Sequence, residues 1–125
     1  MIDGNAQNGE VTQGLRIFVA ETYAMLLKTQ ACHWNMTGAG FIGLHKLTEE
    51  QYRALFEAVD ELAERARALG VEAPHGLAEI LELSSVEDAP IALTTIEAIR
   101  LLVEDNTTMA ARATALADIA ASAAT

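Results

Sequence analysis

The stretch ACHWNMTGAGFIGLHKLTEE, residues 31–50, contains two of the three histidines of the chain. His33 and His45 stand on either side of a turn that glycines break, and Glu49 follows His45 by one helical turn. Because glycine commonly ends a helix, the stretch predicts the end of one helix and the start of another. The turn is therefore expected to fold His33 back beside His45.

The spacing of apolar residues along the rest of the chain predicts an all-α fold in one domain. Residues 1–10 are polar and are expected to form a flexible arm, and residues 11–125 a helical domain. Three long helices and one short connecting helix are predicted, at residues 11–36, 41–69, 77–86 and 91–121. Such a set of helices favours packing of helix on helix around one core.

Each long helix has a predicted core stripe whose members recur at steps of three and four residues. In the first helix the stripe is Leu15, Val19, Thr22, Leu26, Thr29 and His33. In the second helix it is Leu44, Thr48, Leu55, Val59, Leu62, Ala66 and Leu69. In the third long helix it is Ile96, Ile99, Val103, Thr107, Ala110 and Ala117.

The formal net charge of −10 comes from 18 acidic and 8 basic residues. Such a surface repels nucleic acid and anionic membranes and attracts cations. The single cysteine, Cys32, cannot form an internal disulfide and is expected to be a small buried hydrophobe in a reducing compartment. The sequence shows neither a signal peptide nor an apolar segment of about 20 residues, so a soluble cytoplasmic protein is predicted.

Four side chains of metal-binding type form one stripe on the second helix. Measured at 100° per residue from Leu44, they lie at about 100°, 140°, 160° and 200°, beside the apolar arc. They are His45, Glu49, Asp60 and Glu64. Glu49 and Asp60 are about 16 Å apart along the helix, whereas metal–ligand bonds are about 2 Å long. One chain therefore cannot close all four around a single ion.

Two copies of the chain can form such a site if their second helices pack antiparallel across a two-fold axis. His45 and Glu49 of one chain then face Asp60 and Glu64 of the other, which gives two equivalent sites in a homodimer. His33 adds a second imidazole, which completes the nitrogen donors of each site. The interface would bury the apolar residues beside the stripe, Tyr52, Phe56 and Ala63.

The types of donor atom narrow the choice of metal but do not identify one. Imidazole with carboxylate suits Fe(II), Zn(II) or Mn(II) better than copper or an iron–sulfur cluster. Bridging carboxylates with open positions favour redox iron, but the stripe alone does not choose among the three metals. A structural bundle with a solvated polar seam and no catalytic metal is the alternative. EAPH, residues 72–75, matches a Glu-x-x-His metal pattern, but Pro74 predicts a turn and no site.

The stretch KTQACHWNMTGAGFIGLHKLTEEQYRALFEAVDELAERARALG, residues 28–70, resembles the Dps family, the mini-ferritins named as DNA-binding proteins from starved cells. The signature is His-Trp, then Leu-His twelve residues later, then Asp-Glu-x-Ala-Glu-Arg fifteen residues further. The resemblance implies a ferritin-like four-helix bundle, a hollow dodecamer, and ferroxidase sites shared between two-fold-related subunits. It further implies oxidation of Fe(II), preferably by hydrogen peroxide, and storage of Fe(III), which protects against oxidative damage.

Carried over by position, the resemblance implies that His33, His45 and Glu49 of one subunit bind iron with Asp60 and Glu64 of its neighbour. The donor set leaves Zn(II) or Mn(II) as substitutes for iron. The resemblance places Trp34 near the iron, as an electron donor or radical trap. Packing of Trp34 at the dimer interface is the alternative, and the sequence favours neither.

Two features depart from the family pattern. Family members have a fourth long helix after the third, and the present sequence stops at ADIAASAAT, residues 117–125. Family members that bind DNA use tails rich in Lys and Arg, whereas residues 1–15 contain neither. Because non-specific DNA affinity comes mainly from phosphate neutralisation, a nucleoid-associated DNA-binding protein is the less favoured alternative.

Overall fold

The computed structural model describes residues 4–124, with side chains from residue 9 onward. Within this range the chain forms four helices, and the all-α fold class is confirmed. Three are long and one is short: α1 (Gly4–Asn35), α2 (Phe41–Ala68), α3 (Leu77–Leu83) and α4 (Thr95–Ala124). No helix within residues 4–124 is both long enough and apolar enough to cross a membrane.

The first helix is the centre of the fold, because α1 packs against α2, α3 and α4. It begins at Gly4, earlier than the predicted start at Val11. Residues 4–10 are therefore helical where the sequence predicts a flexible arm, and residues 1–3 lie outside the described residues. A helix that has already formed extends at little cost, since each added residue contributes one backbone hydrogen bond.

The predicted core stripe of α1 is confirmed, because all six of its side chains are buried. Cys32 is fully buried too, in a cluster with Met25 and Met36, as expected of a small hydrophobe. Burial raises the pKa of the Cys32 thiol, which keeps the group neutral at physiological pH. The side of α1 that the sequence marks as the core is thus the side that the other helices cover.

The second helix begins and ends within one residue of its predicted limits. At its C-terminal end the Val71 N–H donates to the Ala66 carbonyl at 3.1 Å, and the Gly70 N–H donates to the Arg67 carbonyl at 3.0 Å. This is the Schellman pattern, which satisfies carbonyls that a helix end leaves free. The helix therefore ends at the glycine that the sequence indicates.

The last helix begins at Thr95, four residues after the predicted start. Thr94 caps it, because the Glu97 backbone N–H donates to Thr94 Oγ1 at 3.2 Å, and the Thr94 hydroxyl donates to the Glu97 carboxylate at 2.9 Å. This Thr-x-x-Glu pattern is a capping signal that the sequence contains. It marks the start of the helix more accurately than Pro90 does.

The predicted core stripe of α4 is wrong. Ile96, Ile99 and Val103 are 60%, 39% and 59% exposed. The buried side chains of α4 belong to a neighbouring stripe, Thr95, Ala98, Leu102 and Met109. Ala98, Leu102 and Met109 of that stripe pack in one cluster with side chains of α1. Ile99 and Val103 line the more open part of an apolar groove between α4 and α2, which Ala98 and Leu102 also line. Because α4 is apolar on both faces, its periodicity does not show which face α1 covers.

Two ion pairs hold α4 against α1. Lys28 Nζ lies 2.6 Å from Asp105 Oδ2, and the Lys28 side chain is only 4% exposed. The buried Glu21 carboxylate pairs with Arg112. Lys28 and Glu21 are the buried members, and a buried charge that loses its partner is strongly destabilising, so these pairs favour one register of α4 along α1.

Candidate metal centre

The turn between α1 and α2 has a backbone shape that depends on glycine. Gly38 has φ 124° and Gly40 has φ 77°, a region that side chains disfavour. The turn is also tied to the segment before α4, because the Thr37 N–H donates to the Leu93 carbonyl at 3.1 Å and the Thr95 N–H donates to the Thr37 carbonyl at 2.9 Å. These bonds fix the turn against the N-terminal end of α4.

The same bonds leave the His33 carbonyl available to a side chain. In a continuing helix the Thr37 N–H would bond to this carbonyl, but it is directed to Leu93 instead. His45 Nδ1 lies 3.0 Å from the His33 carbonyl oxygen. The backbone of one histidine therefore orients the ring of the other.

The turn brings His33 beside His45, as the sequence predicts, and the two imidazole rings are stacked. Their centroids are 3.7 Å apart and their planes differ by 18°. The His33 side chain is 5% exposed, and its Nδ1 lies 3.0 Å from Thr48 Oγ1. Tyr52 contacts the His33 ring edge-on, and Phe41 lies against the His45 ring. The juxtaposition of the histidines is confirmed, while their role as ligands stays a prediction.

The carboxylates of the predicted site are more open. Glu49 follows His45 on α2, and its carboxylate pairs with Arg53 at 3.6 Å. Asp60 and Glu64 are exposed further along α2. Among the residues whose side chains the structure describes, no three of His, Cys, Asp or Glu are grouped so as to hold a metal ion. The single chain thus brings His33 and His45 together but does not group Glu49 with them. The rise of the helix keeps Asp60 and Glu64 away from all three.

An apolar surface covers the outer side of α1 and α2. Tyr23, Leu27 and Trp34 share one face of α1 by helix geometry and are 37%, 45% and 65% exposed. Phe56 of α2 is 69% exposed and lines a shallow groove with Gln30, which belongs to the same face of α1. We call this surface, Tyr23, Leu27, Trp34 and Phe56, the outer apolar face. It includes Phe56 of the predicted dimer interface and the tryptophan of the predicted site.

Residues 72–75 lie in the irregular connection between α2 and α3, outside any helix. His75 Nε2 lies 2.8 Å from Glu72 Oε2, and both side chains are 69% exposed. The hydrogen bond to Glu72 raises the pKa of His75, and the same bond lowers the pKa of Glu72. The pair is an exposed contact within the connection after α2, whereas the stacked histidines lie at the other end of that helix.

We expect Glu72→Gln to lower the pKa of His75 toward 6.5, its ordinary value, because the raised pKa depends on the Glu72 carboxylate. Because the pKa of His75 is higher in the folded chain than in the unfolded chain, the contact stabilises the fold at pH values below the unfolded pKa. This stabilisation is lost as the pH rises through the folded pKa. The pKa of Glu72 is lower in the folded chain, so the contact stabilises the fold at pH values above the unfolded pKa of Glu72. This stabilisation is lost as the pH falls through the folded pKa. Proton NMR titration of His75 measures the shift. An unchanged pKa of His75 would show that the contact is absent in solution.

Thr48 is the residue of the site that sequence reasoning placed only in the core. It is 5% exposed and contacts His33 through its hydroxyl. The available signal was a polar residue inside an otherwise apolar stripe, three positions after His45. A buried hydroxyl needs a hydrogen-bond partner, and here one of its partners is an imidazole.

Comparison with known proteins places this arrangement in a family. A family profile described as Ferritin-like domain matches residues 13–124. Antigen TpF1 of Treponema pallidum is 34% identical over 96 residues, which cover 76% of this chain and 54% of the relative. The DNA protection during starvation protein 2 of Bacillus anthracis is 31% identical over 98 residues, which cover 78% of this chain and 67% of the relative. The chain thus spans only about half the length of the antigen.

A solved structure supports the same grouping. The X-ray structure of Dps from Thermosynechococcus elongatus superposes with a TM-score of 0.92 and is 27% identical in sequence. The match covers 97% of this chain and 77% of that chain. The arrangement of the helices in this chain is therefore that of a known ferritin-like bundle.

Proposed function

We propose that the chain, which belongs to the Dps proteins of the ferritin-like family, oxidises Fe(II) and stores the Fe(III) that results. The observation that carries the proposal is the stacked pair His33 and His45, where the C-terminal end of α1 meets the N-terminal end of α2. Both Nδ1 atoms lie 3.0 Å from an oxygen atom, so Nε2 is the nitrogen that each ring has left for a metal. The two oriented imidazoles form the nitrogen half of a mixed site, which Glu49 would join by turning away from Arg53.

The oxygen half comes from a second subunit in this proposal. Asp60 and Glu64 lie about 16 Å or more beyond Glu49 along α2, which is too far for one ion to reach within a chain. An antiparallel α2 pair in a homodimer brings them to His33, His45 and Glu49 of the partner, and two-fold symmetry makes two such sites. The outer apolar face supports this contact, because exposed apolar patches commonly mark protein interfaces.

Iron is the substrate of this site, and the carboxylates favour its oxidation. Hard carboxylate oxygens stabilise Fe(III) more than Fe(II). Hydrogen peroxide is the proposed oxidant: two Fe(II) ions give one electron each, the O–O bond breaks, and two protons complete two water molecules. No hydroxyl radical is released in this two-electron step. Trp34 lies on the outer apolar face, where it either packs against the partner subunit or supplies an electron to the site.

The charge of the chain supports iron rather than DNA as its partner. A net charge of −10 attracts Fe(II) and repels the phosphate backbone. In the proposed assembly, dimers build a hollow dodecameric shell in which Fe(III) accumulates, with Zn(II) or Mn(II) binding at the same sites as substitutes. We propose no DNA binding, because residues 1–15 contain neither Lys nor Arg to neutralise phosphates.

The proposal is tested by mixing anaerobic Fe(II)-loaded protein with hydrogen peroxide and following Fe(III) absorbance by stopped flow. We expect oxidation faster than in buffer and faster than with dioxygen, with two Fe(II) consumed per peroxide. As a control, a Glu57→Ala/Glu61→Ala variant should oxidise iron at the wild-type rate, since it removes two exposed α2 carboxylates outside the proposed site. A wild-type rate equal to that of iron in buffer would refute the proposal.

A further inference from the structure

We propose that Thr48 is a positioning residue, which holds His33 with its hydrogen on Nδ1 and thereby keeps His33 Nε2 free to bind iron. The metal in this inference rests on the proposed function. The hydrogen-bond arrangement does not, because it is a property of the protein without metal. Thr48 itself touches neither iron nor oxidant in this proposal.

The hydroxyl of Thr48 has one hydrogen and several neighbours. Its Oγ1 lies 2.8 Å from the Leu44 carbonyl oxygen and 3.1 Å from the His45 carbonyl oxygen. Carbonyl oxygens only accept hydrogen bonds, so the Thr48 hydrogen is directed at them. The lone pairs of Oγ1 remain, and His33 Nδ1 lies 3.0 Å away. In this arrangement His33 Nδ1 is the donor and Thr48 is the acceptor.

The same direction of donation continues to the second histidine. His45 Nδ1 lies 3.0 Å from the His33 carbonyl oxygen, which can only accept, so His45 also has its hydrogen on Nδ1. The bonds run in one direction, from His45 to the His33 backbone, and from the His33 ring through Thr48 to the Leu44 backbone. Both Nε2 atoms keep their lone pairs for a metal.

The Thr48 hydroxyl could instead donate its hydrogen to His33 Nδ1, and this would prevent His33 Nε2 from binding a metal. In that case the hydrogen of the neutral ring would be on Nε2, where it excludes a metal. The 2.8 Å contact to the Leu44 carbonyl has the usual length of an O–H···O bond, and the 3.0 Å contact to His33 Nδ1 that of an N–H···O bond, which fits donation by Thr48 to the backbone. His33 and Thr48 are each 5% exposed, so bulk water does not replace Thr48 as the acceptor.

The tautomer is measured directly by NMR of the metal-free, ¹⁵N-histidine-labelled chain. In the wild type we expect His33 to have a protonated Nδ1 and an unprotonated Nε2. Thr48→Val removes the acceptor at nearly constant volume and should shift His33 toward the Nε2-protonated form, whereas Thr48→Ser should keep the wild-type tautomer. Thr29→Val is the matched control, because Thr29 is 1% exposed and donates to the Met25 carbonyl at 2.7 Å.

Metal affinity gives the second readout, with Zn(II) as a redox-inert probe in calorimetry. Loss of a group that orients a metal-binding histidine typically weakens affinity by about 10–100-fold, which is the effect expected for Thr48→Val. Thr48→Ser and Thr29→Val should bind Zn(II) as the wild type does. If the wild type binds Zn(II), equal affinity in Thr48→Val would overturn the role of Thr48 in metal binding.

The outcomes separate this inference from the proposed function. A wild-type His33 protonated on Nε2, or a Thr48→Val variant with an unchanged tautomer, would overturn the role of Thr48 whatever the iron chemistry. If the tautomers behave as expected but the wild type neither binds Zn(II) nor oxidises iron, the proposed function fails and the assignment of Thr48 as the acceptor for His33 stands.

Discussion

A mixture of His45→Ala and Asp60→Ala chains should recover about a quarter of the wild-type rate of iron oxidation, although neither variant is active alone. In a site shared across a two-fold axis, each variant alone spoils both sites of its dimer. Random pairing makes half of the dimers mixed, and each mixed dimer has one intact site and one doubly altered site. One quarter of all sites is therefore intact, and this fraction follows from the two-fold symmetry of the shared site.

The expected loss in each variant alone is large, because a direct ligand is removed. Loss of a residue that only orients a ligand already costs about 10–100-fold, so removing a ligand should lower the rate by at least about 100-fold. The measurement is peroxide-driven oxidation after the two variants are unfolded together and refolded, with each variant refolded alone as the control. A mixture that forms dimers but stays inactive, or a single variant that keeps its activity, would refute the shared site.

Phe56→Glu should prevent dimer formation and, with it, iron oxidation. The Phe56 side chain is 69% exposed in the single chain, at the centre of α2 and on the outer apolar face. The proposed interface buries it, and burying an unpaired carboxylate there costs about 3 kcal/mol or more, equivalent to at least about 100-fold in the dimer dissociation constant. Each isolated chain then keeps its histidines but lacks the partner's carboxylates.

Sedimentation equilibrium measures the association, and circular dichroism verifies that the helices persist. Phe56→Leu is the matched control, since it keeps an apolar side chain at the same position and should leave the dimer intact. Phe56→Glu chains that remain monomeric yet oxidise iron at the wild-type rate would contradict the split site. Chains that dimerise normally would show that the outer apolar face is not the interface.

The local features of the fold were predictable from residue spacing. The six residues of the α1 stripe are buried, and α2 has its predicted limits, because a helix repeats every 3.6 residues and glycine ends it. The turn with Gly38 and Gly40 placed His33 beside His45, since short connections between helices make them antiparallel neighbours. Each of these predictions depends only on residues that are close in sequence.

The last helix shows where spacing fails. Ile96 and Val103 fit an apolar period as well as Ala98 and Leu102 do, but only the second pair is buried. The choice between the two faces depends on which one α1 covers, and the ion pair of Lys28 with Asp105 helps to fix that orientation. Such contacts join residues far apart in sequence, so no local pattern contains them.

The sequence by itself determined the distance between the ligand pairs, because the rise of an α-helix is fixed at about 1.5 Å per residue whatever surrounds it. Only the tertiary structure decided how the histidines are held. The Thr37 N–H turns to Leu93, 56 residues away, and so leaves the His33 carbonyl to His45, while Thr48 crosses from α2 to meet His33. Hydrogen bonds between separate helices depend on how those helices pack, and packing is a property of the whole chain.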